Sequence, residues 1–299
     1  MKFRAKITKD NLVSLHNTVL TLERLAANAT IFLNESSLRF SLISESIDAP
    51  RCYAEFNAIN LCTEYRLESQ SSNTILFEIG LQQLSKALAS GKLASQSQIK
   101  LVKRNQRPCL CFETKADESI MAVDVCHDLP IKLMKSTEVI HFLPPQMPPP
   151  SVALDLPKGK LLKTIIEKMT KFAKHVTLTA CQSGRIALKA DHSSVAISTY
   201  YSGLQPRYVG QLLQDPETSV DNTVTVKLNL RKLSAIINMN HLNYEHATLY
   251  FSGNDGVMLL IHLSPSRLGT LSYYLPVLLL GSDDDAEEEE EAEQESGEG

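Results

Sequence analysis

The sequence predicts an α+β protein of two similar halves, each made of two β-α-β-β-β units, and three observations predict it. Matching stretches recur 146 to 149 residues apart, four stretches carry apolar residues at helical period, and the runs between them alternate apolar with polar residues. Period 3.6 buries one stripe of a helix, whereas period 2 buries one face of a strand. Helices and strands are therefore read separately before they are assembled.

The chain opens with KFRAKITKDNLVSLHNTVLTLERLAANATIFL, Lys2 to Leu33, which reads as strand, helix, strand. In the helix, expected from Asn11 to about Ala27, the residues Leu12, Leu15, Val19, Leu22 and Ala26 form the apolar stripe; Arg24 points away and Glu23 lies on the flank. The turn NESS at Asn34 leads into an alternating strand with Leu38, Phe40 and Leu42 on one face. At Thr74, TILFEIGLQQLSKALASGK gives a strand and a second helix that buries Leu81, Leu84 and Leu88 and turns Lys86 outward. Ile99 and Leu101 mark the next strand, KRNQRP at Lys103 the hairpin turn after it, and DLPIKLM at Asp128 the last strand of this half. HFLPPQMPPPS, His141 to Ser151, has five prolines and is expected to be a semi-rigid connector.

From Ser151 the order begins again with SVALDLPKGKLLKTIIEKMTKFAKHVTLTA. A third helix of about 15 residues is expected here, with Leu161, Leu162, Ile165, Ile166, Met169, Phe172 and Ala173 on the apolar stripe. Lys160, Lys163, Lys171 and Lys174 lie opposite, and Lys168 is on the flank. The hairpin turn QSG at Gln182 follows, and TVTVKLNLRKLSAIINMNH at Thr223 matches the stretch at Thr74. This fourth helix buries Leu230, Leu233 and Ile237 and leaves Arg231 and Lys232 outside. Leu249 and Phe251, the turn GNDG at Gly253, then Val257, Leu259 and Ile261 give a further hairpin, and YLPVLLL at Tyr274 matches DLPIKLM. The expected organisation is a first domain at 1–135, a connector at 136–151, a second domain at 152–281 and a tail at 282–299.

Charge is segregated along the chain. Of 34 acidic residues, 11 lie in the tail SDDDAEEEEEAEQESGEG, so the body carries 30 basic against 23 acidic residues, a net charge of +7. A block of like charge without aromatic or β-branched residues cannot bury enough apolar surface to offset its ordering entropy, so the tail is expected to be disordered. Between Lys158 and His175 there are six lysines and one glutamate. A solvated helix face explains one such helix well, but four helices that all turn cations outward define a positive surface. With no Trp in the chain and no aromatic residues interleaved among the cations, that surface suits a duplex sugar-phosphate backbone better than the stacked bases of a single strand.

The opening MKFRAKI, the run LTLERLAANATIFL followed by LRFSLI, DLPIK at Asp128, IEKM at Ile166, LRKL at Leu230 and the closing YLPVL resemble the Hus subunit of the heterotrimeric checkpoint clamp, the nine-one-one ring. That family is related to the PCNA-type sliding clamps, and the match runs from Met1 to about Leu280. The resemblance implies the DNA-clamp fold, with helices on the inner face of a ring, antiparallel sheet on the outer face, and duplex DNA threaded through. It implies two partner subunits of the Rad-nine and Rad-one types, a damage-specific clamp loader, and repair and checkpoint proteins recruited to the ring. It further implies edge strands that pair between subunits, expected at Pro108, Cys109, Leu110, Cys111 and Phe112 in the first half. In the second half they are expected at Val176, Thr177, Leu178 and Thr179. The acidic tail departs from the family pattern.

Other functions find less support. DVCHD, Asp124 to Asp128, gathers two carboxylates, a thiol and an imidazole, but on a strand neighbours point to opposite faces. CLC at Cys109 puts two sulfurs on one face with no second Cys or His pair at zinc spacing, and there is no glycine-rich phosphate loop. No catalytic role, metal or cofactor is expected. MKFRAKITKD lacks the apolar core of a signal peptide, so the six cysteines are expected to be reduced in an intracellular protein, nuclear and, before assembly, cytoplasmic. Two alternatives stand beside this reading: a homotrimeric replication clamp, and an interaction module whose basic helix meets an acidic partner or membrane.

Overall fold

The computed structural model describes residues 1–44, 46, 49–94, 96–115, 124–157, 161–192, 195–208, 222–238, 241–252, 256–264 and 267–278. The first half runs β1 (Lys2–Thr8), α1 (Lys9–Glu23), β2 (Asn28–Leu33), β3 (Ser37–Leu42) and β4 (Arg51–Asn57). The single turn α2 (Ala58–Leu61) and β5 (Cys62–Glu68) follow, then β6 (Ile75–Gly80), α3 (Leu81–Ser90), β7 (Gln96–Arg104), β8 (Arg107–Lys115) and β9 (Val125–Leu133). A 3-10 helix, Ser136–Phe142, enters the proline-rich segment. The second half runs β10 (Val152–Asp155), α4 (Leu161–Met169), β11 (His175–Cys181), β12 (Arg185–His192), β13 (Val195–Tyr201), β14 (Thr223–Asn229), α5 (Leu230–Ile237), β15 (Tyr244–Phe251), β16 (Val257–Leu263) and β17 (Gly269–Leu275).

Strand alternation decides which way each sheet faces. On β1, Phe3, Ala5 and Ile7 enter the core while Lys2 and Arg4 are exposed. Helices α1 and α3 pack on each other, with α1 against β1 and β7 and α3 against β6, β8 and β9; α4 and α5 form the corresponding pair. The expected stripes are buried at Leu12, Leu15, Val19 and Leu22 in α1, at Leu81, Leu84 and Leu88 in α3, and at Leu230, Leu233 and Ile237 in α5. Turn chemistry follows the sequence: Asn105 and Gln106 join β7 to β8 with φ of 45° and 65°, the two left-handed residues that a tight hairpin requires. The Asn57 carboxamide oxygen accepts the Ile59 and Asn60 N–H groups at the start of α2, and Asn229 accepts the Lys232 N–H at the start of α5.

Strand pairing carries the duplication. In the first half β4-β3-β2-β6 are neighbours, and β13-β12-β11-β14 repeat that order; β1-β7-β8-β9 are matched by β10-β15-β16-β17. One antiparallel ladder joins the halves, β17 on β4 from Gly269↔Phe56 to Tyr274↔Arg51, and makes a 13-stranded sheet. It leaves almost no room at its start, because a side chain at Gly269 would run into the Glu55 carbonyl oxygen.

Three expectations are corrected. Helix α1 spans Lys9–Glu23, so Ala26 lies in the following turn. Helix α4 spans nine residues and ends at Met169, after which turns carry the chain to Ala173. Leu161, at its first position, is therefore 65% exposed, and Phe172, beyond its end, is 49% exposed. The strands expected at subunit edges are interior: β8 lies between β7 and β9, and β11 between β12 and β14. Cys109, Leu110, Cys111 and Phe112, and likewise Thr177, Leu178 and Thr179, thus have strand neighbours on both sides, while Pro108 is paired with Lys103 alone and Val176 with Leu228 alone. The turn GNDG falls at positions 253–256, of which 253–255 lie outside the described residues, as do Lys158, Lys160 and the tail 282–299.

Candidate nucleic-acid interface

The helical surface is built from the polar sides of α1, α3, α4 and α5. Of the cations expected there, Lys86, Lys171, Lys174 and Arg231 are exposed, and Lys232 is half-buried. Arg24 caps α1 and donates from Nη2 to His241 Nε2 at 2.8 Å, which ties the first helix pair to the segment after α5 and joins the helical layer across the halves. Lys163 departs from expectation. Its side chain is only 21% exposed and reaches Glu167 Oε1 at 3.5 Å, one turn along α4. Lys168, expected on the flank, is exposed in the last turn of α4, where the negative end of the helix dipole favours a cation. Lys9, at the start of α1, is also exposed and was not singled out.

The two surfaces differ in how their charges are used. On the strands, many cations are tied to carboxylates: Lys2 to Glu68, Lys6 to Glu64, Arg39 to Glu55, Lys100 to Glu113, Arg104 to Asp128 and Lys189 to Asp191, while the exposed Arg51, Arg66 and Lys103 make no ion pair with another described residue. Lys6 holds the Glu64 carboxyl below its ordinary range, and Lys100 does the same to Glu113. On the helical surface, Lys86, Lys168, Lys171 and Arg231 make no ion pair with another described residue. A cation without a carboxylate partner is free to neutralise a phosphate, whereas a paired one must first give up its partner.

The cluster DVCHD is split as strand geometry requires. His127 Nε2 lies 3.1 Å from Ser90 Oγ on the helical side, while Asp128 meets Arg104 at 3.0 Å on the other face and Asp124 precedes β9. The third side chain of that outer face brings a contact that sequence spacing did not show: Cys126 Sγ lies 3.4 Å from Cys111 Sγ. Two apolar voids, one in each half, are lined by core side chains such as Leu162, Leu178 and Leu249, or Phe3, Phe40 and Phe77. Among the described residues, no helix is long and apolar enough to cross a membrane.

The strand order and two-fold repetition are those of the sliding clamps. The structure matches proliferating cellular nuclear antigen from Entamoeba histolytica with a TM-score of 0.69 and 14% identity, over 93% of this chain and 99% of that one. Within that class, the chain belongs to the Hus1-like protein family, whose model it matches over residues 1–278. It is similar to the checkpoint protein hus1 homolog of Dictyostelium discoideum, 27% identical over 281 residues, covering 93% of this chain and 99% of the relative. Similarity to the checkpoint protein HUS1 of Homo sapiens is also 27%, over 285 residues, covering 93% of this chain and all of the relative.

Proposed function

We propose that this chain is one subunit of a closed DNA-damage checkpoint clamp that encircles duplex DNA without reading its sequence and serves as a platform for signalling and repair factors. The observation that carries the ring is the ladder between β4 and β17. By the internal repeat, β13 is the counterpart of β4 and β9 the counterpart of β17. Among the described residues, β13 pairs on one side only, with β12, and β9 pairs with β8 through Cys109↔Pro130 to Thr114↔Val125, reaching β6 only at Ile131–Leu133. Each half-junction is therefore open: β13 offers an edge for a β9-like strand, and Val125–Pro130 offers an edge for a β13-like strand. Val195 and Tyr200 on β13 are 45% and 78% exposed, in keeping with a surface awaiting cover.

Two different clamp subunits, of the Rad-nine and Rad-one types, fill these edges, and a damage-specific loader opens the ring on DNA. The two structural domains are 1–135 and 152–281, joined by 136–151. The protein acts in the nucleus, with a cytoplasmic pool before assembly, and works as a scaffold without catalysis. Co-expression with the two partner types followed by native mass spectrometry tests the assembly. A one-to-one-to-one heterotrimer is expected, with the isolated chain failing to trimerise. A homotrimer formed by this chain alone would assign it instead to the replication clamps. Binding of the isolated chain to anionic vesicles, with none by the heterotrimer to duplex DNA, would favour the interaction module.

A further inference from the structure

Cys111 and Cys126 stand on neighbouring strands of the outer sheet face. Cys111, on β8, lies directly opposite Asp128, and Cys126, on β9, lies directly opposite Glu113, so the two sulfurs meet along a diagonal. The Sγ atoms are 3.4 Å apart, and Cys111 Sγ is 3.5 Å from Glu113 Oε1. Every charged group around them already has a partner of its own. Glu113 accepts from Lys100 at 2.6 Å and from the Gln98 carboxamide at 3.1 Å, and Asp128 accepts from Arg104. The two thiols differ in access: Cys126 is exposed, whereas Cys111 is fully buried.

We propose that Cys126 and Cys111 form a reversible thiol–disulfide site whose substrate is a low-molecular-weight disulfide such as glutathione disulfide. The asymmetry assigns the roles. An exposed sulfur can be reached by a dissolved disulfide, and a buried one cannot, so Cys126 attacks first and Cys111 resolves. The Cys126 proton passes to water, its thiolate attacks one sulfur of glutathione disulfide, and the S–S bond of glutathione disulfide breaks with its electron pair leaving on a glutathione thiolate. Cys111 then attacks Cys126 Sγ, its proton going to the second departing glutathione thiolate. Two protein thiols are oxidised, and one glutathione disulfide is reduced to two glutathiones. The sulfurs need to close from 3.4 Å to the ~2.05 Å of a disulfide. Burial pushes the Cys111 thiol well up from its ordinary range, which fits the second, resolving role and not the first. Asp128 and Glu113 push the Cys111 thiol further in the same direction.

The test uses the full-length chain in glutathione redox buffers of rising oxidised fraction, quenched by alkylation and analysed by peptide mass spectrometry. The expected result is loss of two of the six alkylatable thiols as one linked peptide pair, Cys111–Cys126, restored by dithiothreitol. Cys111→Ser should leave a stable glutathione adduct on Cys126, and Cys126→Ser should leave Cys111 free of any adduct. An adduct on Cys111 in the second variant would overturn the assignment of roles. Retention of all six thiols at the most oxidising ratio would overturn the site. Cobalt(II) uptake by the reduced chain, with a thiolate charge-transfer band lost in either variant, would reassign the pair to metal binding and also overturn it.

Discussion

At the residue scale, free cations and paired cations predict different things. Reversing Lys168, Lys171, Arg231 and Lys86 to glutamate should weaken the assembled ring on duplex DNA, and each lost phosphate contact should lower the magnitude of the log-log salt slope by about 0.9. Lys163→Glu is the contrast: it places like charges one helical turn apart, costs about 0.2–0.5 kcal/mol of stability, and should leave the salt slope alone. Equal slopes for the quadruple variant and the parent would remove the helical face from DNA binding. A second residue-scale expectation concerns His262, which stacks on His246 at 4.2 Å between ring centroids. Burial lowers its pKa, His246 and Arg207 lower it further, and Glu245 and Asp155 oppose them. The folded value lies below 6.5, so the unfolded chain takes up the proton first; stability is complete above pH 6.5 and falls as pH drops towards the folded pKa. Thermal melts from pH 7.5 to 5.5 should show a smaller loss in His262→Asn than in the parent, and parallel curves would contradict it.

At the element scale, the open edges and the internal junction can be probed separately. On β13 successive N–H groups point alternately to β12 and to the free edge, so of Ile197→Pro and Ser198→Pro one removes a ladder donor and the other an edge donor. One variant should lose structure by circular dichroism, while the other stays folded yet fails to recover its partners. Two folded variants that both assemble would rule β13 out of the interface. At the internal junction, Gly269→Ala sets a Cβ against the Glu55 carbonyl oxygen, and overpacking of this kind costs about 1–3 kcal/mol. A denaturation midpoint equal to that of the parent would show that the ladder can give way there. The elements themselves were legible in the sequence to differing degrees. α3 and α5 follow their period throughout, whereas α4 stops at Met169 although the apolar stripe runs on to Phe172, because the turn that leads into β11 takes precedence over local period. β5 and the single turn α2 had no signal of their own: β5 is an edge strand on β1 with a largely solvated face, and α2 is four residues long.

At the scale of the whole molecule, a body of net charge +7 carries a tail with 11 acidic residues. The expectation is that the tail from 282 to 299, tethered to that body, competes with DNA for the helical cations at a high effective concentration. Such competition is screened over a Debye length of ~8 Å at physiological ionic strength. Deleting the tail should tighten binding of the ring to duplex DNA at low salt, with the two affinities converging as salt rises; equal affinities at low salt would leave the tail a solubilising role only.

Much of this architecture follows from local pattern. Periods of 3.6 and 2 mark helices and strands because each encodes which side chains a neighbour must cover, and the repeat at 146 to 149 residues doubles one half into two. The segregation of charge was equally plain, since a run of like charge needs no fold to be read. What only the tertiary structure decided is who sits beside whom. β8 buries Leu110 and Phe112 in the core and Cys109 and Cys111 on its other face, and its alternation does not tell that β7 and β9 flank it. The open edges therefore went to β13 and β9, Lys163 found Glu167, and Cys111 met Cys126. These are non-local pairings, set by the order in which the strands lie side by side and by the loops that connect them, and a one-dimensional period carries no information about that order.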